Sequence, residues 1–430
     1  MRNVLFIAPT AREFRALPPI AERHGVNLIW DDFAGDYFDD FLRSDASPTT
    51  MDIVSLIERT IDAHREDRLV GVTSAVGYPG MSVVAVVAQR LGLPGPSIDA
   101  IMRCEHKYYS RLAQRDAVSE FTPDFKLIDP NNEATIDQVR DFPIFLKPVK
   151  SCMSMNAFAV SSKNELVQRM HAAMMPKRFT EPFDHMARAY SNLVDLSCNY
   201  LLAEELLKGQ QVSLEGYVYN GKPVVMGIVD GEVFPGTLSF SRWIYPSRLP
   251  ATVQQRMEQV AVDFFSHIGY DNAMFNMELF WDEQTDRINI IEVNPKIASQ
   301  FPDLFEKVDG ISSYEILLRI ALGQEPEFEK RRGQFKIAGS CVLRTFEDKM
   351  VIKKPTAEDV QRVQNVYPDA LISVIATEGR KLSEQSQDTV SYRYGLINIG
   401  AQSLEELEAK NEVCKSMLPY QFACESARVP

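Results

Sequence analysis

Two carboxylates and an amide are the residues of this chain best spaced for chemistry. The runs FNMELFWD and RINIIEVN read as strands over 275–281 and 287–295, joined by the polar turn EQTD. With the turn centred near 285, Glu278 lies opposite Glu292, and like charges directly across a ladder repel one another. Asn294 is two residues beyond Glu292, so it shares that face. A face of such oxygens makes a poor core but suits a hard cation. Magnesium favours carboxylate oxygens and usually keeps phosphate ligands as well. A solvated sheet face, its repulsion screened by water, fits the same spacing equally well.

A second group is basic. Lys147 ends the apolar run of FPIFLKPVKS, just before a proline, which would present its charge at a sheet edge. Lys150 lies just beyond, and Ser151 and Ser154 add hydroxyls. Together these groups suit a polyphosphate, although single surface lysines are usually solvated. A third run, AEELLKG over 203–209, ends an apolar strand with two acidic residues. By itself it reads as an exposed strand end.

The elements that must position these residues follow from patterning. At 430 residues the chain is long enough for two or three domains. Its 24% charged and 45% hydrophobic residues are ordinary for a soluble globular protein. A net charge of −13 argues against a coat for nucleic acid or for an anionic membrane. Six cysteines with no C-x-x-C pair and no zinc spacing predict reduced, buried thiols. The N-terminal run is too short for a signal peptide, and no apolar stretch approaches membrane-spanning length, so a cytoplasmic protein is expected.

Strands at 3–8, 26–30 and 69–73 alternate with helices at about 12–24, 50–64 and 80–91, which predicts a small parallel sheet. Its first βα turn reads APTAREF and lacks the glycine fingerprint of a dinucleotide site. After the Pro/Gly turn at 91–97 come a basic helix at 105–116, strands at 124–128, 143–147 and 157–161, and a helix at 163–175. Residues 176–195 show no clear period and read as a loop. From 200 the chain is strand-rich, with Asn220-Gly221 as a hairpin turn. A helix at 250–268, the two acidic strands, a helix at 311–322 and a mixed α/β tail from 335 complete it.

Taken in order, Lys107 in HKYYSRL, FPIFLKPVKSCMS, LLAEELLKGQQVSLEGYV, FNMELF and IIEVNPK resemble the ATP-grasp ligases over roughly residues 100–300. The resemblance implies an α/β and α+β fold. An N-terminal Rossmann-like domain (1–104) would precede a two-lobed ATP-grasp core (105–330, lid lobe about 120–205) and a small C-terminal α/β domain (331–430). It implies ATP and magnesium or manganese as cofactors. Lys107 and Lys147 would contact the phosphates, Glu204 the adenine amino group, and Glu205 and Leu207 the base through their backbone. Gln211 and Glu215 complete the implied nucleotide contacts, and Glu278, Glu292 and Asn294 would hold the metal.

Lys296, Lys150 and Ser154 are the residues implied in catalysis, Lys296 by holding the substrate carboxylate or an acyl phosphate. The activity implied is a ligase joining a carboxylate to an amine, with ADP and phosphate released. Its partners would be small carboxylate and amine substrates, with neither nucleic acid nor membrane, and a homodimer is compatible with the sequence. Bicarbonate activation as in biotin carboxylases, and nucleotide binding without turnover, are the rivals. Three departures stand out: the phosphate loop VKSCMSMNAF has no glycine, Gln211 replaces a common glutamate, and Lys296 replaces a common arginine. Specificity would lie around 176–195, 231–248 and 296–310. Arg242, Arg248 and Arg344 are candidate carboxylate binders, of which at least two are expected to be ordinary salt-bridged arginines.

Overall fold

A computed structural model describes residues 2–32, 51–152, 154–385 and 391–423. Strands β1 (Arg2–Ile7), β2 (Val26–Asp31) and β3 (Leu69–Thr73) form a parallel sheet in the order β2-β1-β3. Helix Ala11–Arg23 follows β1. It starts in a reciprocal capping box, with Thr10 accepting at the N-terminus and Glu13 reaching back to the Thr10 N–H. Helix Ser82–Leu91 is buried along most of its length and ends at Gly92, whose φ of 67° only a residue without a side chain adopts cheaply. This unit matches the strand and helix pattern expected for the N-terminal quarter.

A four-stranded antiparallel sheet comes next, in the order β4-β7-β5-β6. Its strands are β4 (Phe125–Ile128), β5 (Ile144–Pro148), β6 (Phe158–Val160) and β7 (Leu201–Glu205). Helix Lys163–Ala173 covers it with Leu166, Met170 and Ala173 facing inward. The segment expected as a loop at 176–195 is instead mostly helix, Lys177–Tyr190. Phe179, Phe183 and Met186 recur at helical spacing and are fully buried. Pro182 disguised that period: inside a helix it removes one backbone bond, but it does not stop the flanking aromatics from burying on one face.

The largest sheet has eight strands in the order β12-β11-β8-β9-β10-β13-β16-β15. They are β8 (Gln210–Tyr219), β9 (Lys222–Val233), β10 (Phe240–Tyr245), β11 (Ala273–Asp282), β12 (Arg287–Asn294), β13 (Ile337–Thr345), β15 (Leu371–Val374) and β16 (Tyr392–Ala401). Strand β14 (Val351–Lys353) pairs separately with β17 (Gln421–Phe422). Asn220 and Gly221 both have positive φ and close the β8–β9 hairpin. Gly209 leads into β8 at φ 121°, and a Cβ there would sit 2.2 Å from the Trp281 carbonyl oxygen. Only glycine fits that approach.

The stretch from residue 331, expected as a small C-terminal α/β domain, contributes β13, β15 and β16 to this sheet. Antiparallel pairing of Arg242–Tyr245 with Ala338–Cys341 joins β10 to β13. The specificity segment at 296–310 also contains a helix, Pro302–Asp309, with a proline at its start where the missing N–H costs nothing. Among the described residues, no helix is long and apolar enough to cross a membrane. Cys104, Cys198, Cys341 and Cys414 are free and buried; Cys152 is free and half-buried. Cys424 lies outside the described residues.

Candidate active site

The two antiparallel sheets face one another across a polar mouth. Its floor is the face of β8, β11 and β12 that carries Gln211, Ser213, Glu278, Glu292 and Asn294. Glu278 pairs directly with Glu292, and Asn276 with Asn294. A local irregularity produces this arrangement. From the turn outward, Asp282 pairs with Arg287 and Leu279 with Ile290. Continued without a break, that register would set Glu278 against Ile291. Ile291 instead bulges out of the ladder, which brings Glu292 opposite Glu278. The bulge also turns Ile290 and Glu292 to opposite faces, so the first is core and the second lines the mouth.

Arg111 fixes the bulge. Its Nη2 donates to the Ile291 carbonyl at 2.8 Å and to Glu204 Oε2 at 3.1 Å, while Nε donates to Glu204 Oε1 at 2.6 Å. Lys147 Nζ lies 2.7 Å from Glu204 Oε2. One helix (Lys107–Ala117) is thereby tied to β5, β7 and the β12 bulge. Sequence reasoning missed Arg111. Its signal is four-residue spacing from Lys107, which places both cations on one face of the basic helix.

Glu204 is fully buried. Burial pushes its carboxyl up, but Arg111 and Lys147 overcome this and hold it down at about 2. Lys147 is moved down by burial, against the pull of Glu204, with Arg111 and Lys107 repelling it further. Glu204 answers to two cations and Lys147 to one carboxylate, so the cluster is ionic at neutral pH. Any adenine amino group at Glu204 must share oxygens that already take three charge-assisted bonds.

Lys107 begins its helix, capped by His106, and its backbone N–H donates to the Val149 carbonyl at 2.7 Å. Its ammonium lies 3.5 Å from Glu292 Oε2 and donates to the Ser151 carbonyl at 3.3 Å. Gln211 Nε2 donates to Glu278 Oε2 at 2.9 Å. Lys296 is half-buried, and its charge favours ionised Glu278 and Glu292. Glu205 reaches across to Arg287 at 2.9 Å, and Leu207 lies in the link between β7 and β8.

The two facing carboxylates differ. Glu278 is pushed up to about 7, by burial first and then by the charge of Glu292. Glu292 is held down despite its burial by Lys107, Lys147, Lys150 and Lys296. Among the described residues no three His, Cys, Asp or Glu side chains cluster as a metal cage. Two carboxylates and an amide do fit magnesium, which fills its remaining positions with phosphate and water. A cation there would remove the repulsion that keeps Glu278 partly protonated.

Two of the implied residues, Lys150 and Glu215, are buried. Lys150 is 2% exposed, paired with Glu105, with its ammonium 4.7 Å from the ring centres of both Tyr78 and Phe183. It sits at the root of the phosphate loop, and its charge still acts on Glu292. Glu105, unremarked in the sequence, is its partner. Glu215 is completely buried, with Oε2 accepting from the Ala298 N–H at 2.7 Å and Oε1 from the Ser313 hydroxyl at 2.8 Å. It braces the segment after Asn294 from the strand face it shares with Gln211 and Ser213, and Ala298 and Ser313 cover it.

Ser154 is exposed on the loop at φ 57°, and Asn156 has φ 58°. The loop thus adopts left-handed turns that glycine would supply at lower cost. Cys152 and Met155 pack on the main core, and Asn156 Nδ2 donates to the Met174 carbonyl at 2.9 Å. Arg242 pairs with Glu232 and Glu408, and Arg248 with Asp230 and Glu232. Both are salt-bridged arginines, as expected of at least two of the three candidates. Arg344 donates to Ser391 Oγ.

Glu215 gives a measurable pH signature. Burial raises its pKa from 4.5 to about 7, against the opposing Ala298 N–H, Ser313 hydroxyl and Lys296 charge. The native state then holds a proton that the unfolded chain releases. The resulting stability is fully present below about pH 4.5 and lost as the pH rises through about 7. Glu215→Gln, which can keep both hydrogen bonds, abolishes this dependence, worth about 3 kcal/mol at most. Denaturation midpoints of parent and variant at pH 5 and pH 8 test this. A difference that does not change with pH would show that Glu215 stays ionised.

Residues 140–301 match the family model of the ATP-grasp domain. The chain is 24% identical over 290 residues to urea amidolyase from Lachancea kluyveri, covering 66% of this chain and 15% of that protein. It is 24% identical over 216 residues to D-alanine–D-alanine ligase from Chlorobium chlorochromatii, covering 46% of this chain and 53% of the relative. The chain thus spans about half or less of these curated relatives. Among solved structures, the L-amino acid ligase from Bacillus licheniformis superposes with a TM-score of 0.73, covers 99% of both chains and is 18% identical. Residues 140–301 thus match an ATP-grasp domain, and the chain as a whole shares the fold of the L-amino acid ligase.

Proposed function

We propose that the protein is an ATP-dependent ligase that activates a small carboxylate and joins it to an amine. The observation that carries this reading is the bulge-set pair Glu278–Glu292, facing the cations Lys107, Lys147 and Lys296 between two sheets. Paired carboxylates beneath a row of lysines suit magnesium and a polyphosphate together. The names of the structurally similar L-amino acid ligase and of the related D-alanine–D-alanine ligase support an amino acid as substrate.

Glu278, Glu292 and Asn294 would hold magnesium, which neutralises charge on the β- and γ-phosphates when bound. Lys107 and Lys147 would offset the remaining phosphate charge. The substrate carboxylate attacks the γ-phosphorus, the bond to the ADP oxygen breaks, and an acyl phosphate forms. Lys296 would orient that carboxylate. The amine then attacks the acyl carbon, loses a proton, and phosphate leaves with its bonding electrons. Glu204 and Arg111 touch neither substrate in this scheme; they hold Lys147 and the bulge in place.

Phosphate release on mixing the protein with ATP, magnesium and single or paired amino acids tests the reading. Release that needs both a carboxylate and an amine supports it. Release driven by bicarbonate alone would favour carboxylation chemistry instead, and nucleotide binding with no release under any condition would overturn both. Lys147→Met is expected to weaken nucleotide binding about tenfold or more, since one charge-assisted contact is lost and Glu204 keeps only Arg111. Titration with a non-hydrolysable ATP analogue measures this. Unchanged affinity would mean that Lys147 serves only to neutralise Glu204.

A further inference from the structure

We propose that the free edge of strand β4 docks an extended, acidic segment of a partner protein, which joins the four-stranded sheet as a fifth strand. Strand β4 lies at one end of that sheet and pairs on one side only, with β7. The register shows which of its backbone groups are already used. The Glu205 N–H donates to the Asp124 carbonyl at 3.0 Å, so positions 124, 126 and 128 are the rungs directed at β7. Phe125 and Leu127 turn their N–H and C=O groups the other way. Among the described residues none of these four groups has a hydrogen-bond partner. Free rungs of this kind are a template for another strand.

The edge opens into a groove of about 400 Å³, whose walls include Tyr108, Arg115, Ser119, Asp124, Lys126 and Gln138. That is within the usual range for a binding site, and its polar lining suits a main chain better than an apolar small molecule. Charge selects the occupant. Lys126 is exposed at the centre of the edge and makes no ion pair among the described residues. A residue added opposite it takes the non-hydrogen-bonded position, where side chains come closest. A carboxylate is attracted there. Because the free rungs are 125 and 127, two copies of this chain would pair about residue 126 and set Lys126 against its own counterpart, which repels. The lysine therefore blocks self-pairing and favours an acidic strand. Arg115 adds a second positive charge, partly offset by Asp116 at 3.8 Å. Asp124 at the start of the strand restricts the partner's acidic residue to the central position.

The edge is distinct from the mouth. Strand β7 stands between it and Lys147 on β5. Lys126 pairs with Ala203, which packs under helix Lys163–Ala173, so the lysine shares that face and not the face of Glu204. A strand added beside β4 extends the sheet outward and touches none of the residues assigned to nucleotide or metal.

Fluorescence anisotropy with the labelled, end-capped peptide Thr-Val-Glu-Val-Thr, without nucleotide or magnesium, tests the site on the full chain. The expected result is saturable 1:1 binding, about fivefold or more tighter than that of Thr-Val-Lys-Val-Thr. Lys126→Glu is expected to reverse this preference. The side chain is exposed, so the variant is expected to fold, which its circular dichroism checks. Amide hydrogen exchange at Phe125 and Leu127 slows when the peptide is added, whereas Lys126, already bonded to β7, is unchanged. A saturating non-hydrolysable ATP analogue leaves peptide binding as it was. Absence of saturable binding, a preference that Lys126→Glu does not reverse, unaltered exchange at Phe125 and Leu127, or displacement by the ATP analogue would each overturn the proposal. So would a dimer in sedimentation whose Phe125 and Leu127 amides exchange slowly before any peptide is added, because a second copy then holds the edge. The measurement needs no turnover, so it stands or falls independently of the ligase reading.

Discussion

Glu292→Ala lowers phosphate release by about a thousandfold or more while the melting temperature stays within a few degrees of the parent. The two effects separate because Glu292 is set against a like charge. Its removal takes away the repulsion from Glu278, so Glu278 titrates closer to an ordinary carboxylate. It also leaves Lys107 with the Ser151 carbonyl alone. These changes roughly offset in stability, whereas half of the carboxylate charge offered to magnesium is gone. Activity assays at saturating magnesium, beside thermal melts of the same preparations, decide the matter. A variant with parental rates would show that the facing carboxylates are a solvated sheet surface.

Arg111→Ala has the largest expected effect on the fold. The guanidinium is 2% exposed and serves Glu204, Gln114 and the Ile291 carbonyl at once. Truncation leaves Glu204 buried with only Lys147 and strips the bulge carbonyl of its donor. Removing one partner of a buried ion pair costs about 3–5 kcal/mol. Arg111→Lys restores the charge without the planar fork, so it should recover only part of this. Denaturant midpoints of the parent and both variants provide the measurement. A loss below about 1 kcal/mol in Arg111→Ala would mean that Lys147 alone can hold Glu204.

Much of the mouth is legible in the sequence because strand alternation is rigid. Two acidic residues at compatible distances from one turn must face each other or opposite ways, and only the register decides. Centring the turn near 285 yields the observed Glu278–Glu292 pair, but for a reason that alternation does not contain. The hairpin itself is centred half a residue earlier, and the Ile291 bulge supplies the shift. Long-range partners were less accessible. Nothing near Lys150 in the sequence signals Glu105, Tyr78 and Phe183, which reach it from distant segments. Glu215 alternates correctly onto the polar face, yet Ala298 and Ser313 cover it. The helix at 177–190 was hidden by Pro182, since a proline lowers local helical preference while tertiary burial of Phe179 and Phe183 overrides it.

The pairing of β10 with β13 constrains any attempt to shorten or recombine this chain. A cut between residues 321 and 337 falls in an irregular stretch and looks like a natural seam. It would nonetheless strip β10 of a neighbour along Arg242–Tyr245 and lay bare Ile244, which is fully buried in the intact protein. An unpaired strand bearing apolar side chains is a template for association with other chains. Truncated or hybrid forms ending there should therefore precipitate or self-associate. A graft that keeps the protein monodisperse must carry β13 and β16 along with the ATP-grasp core, so the smallest transferable unit extends to at least Ala401.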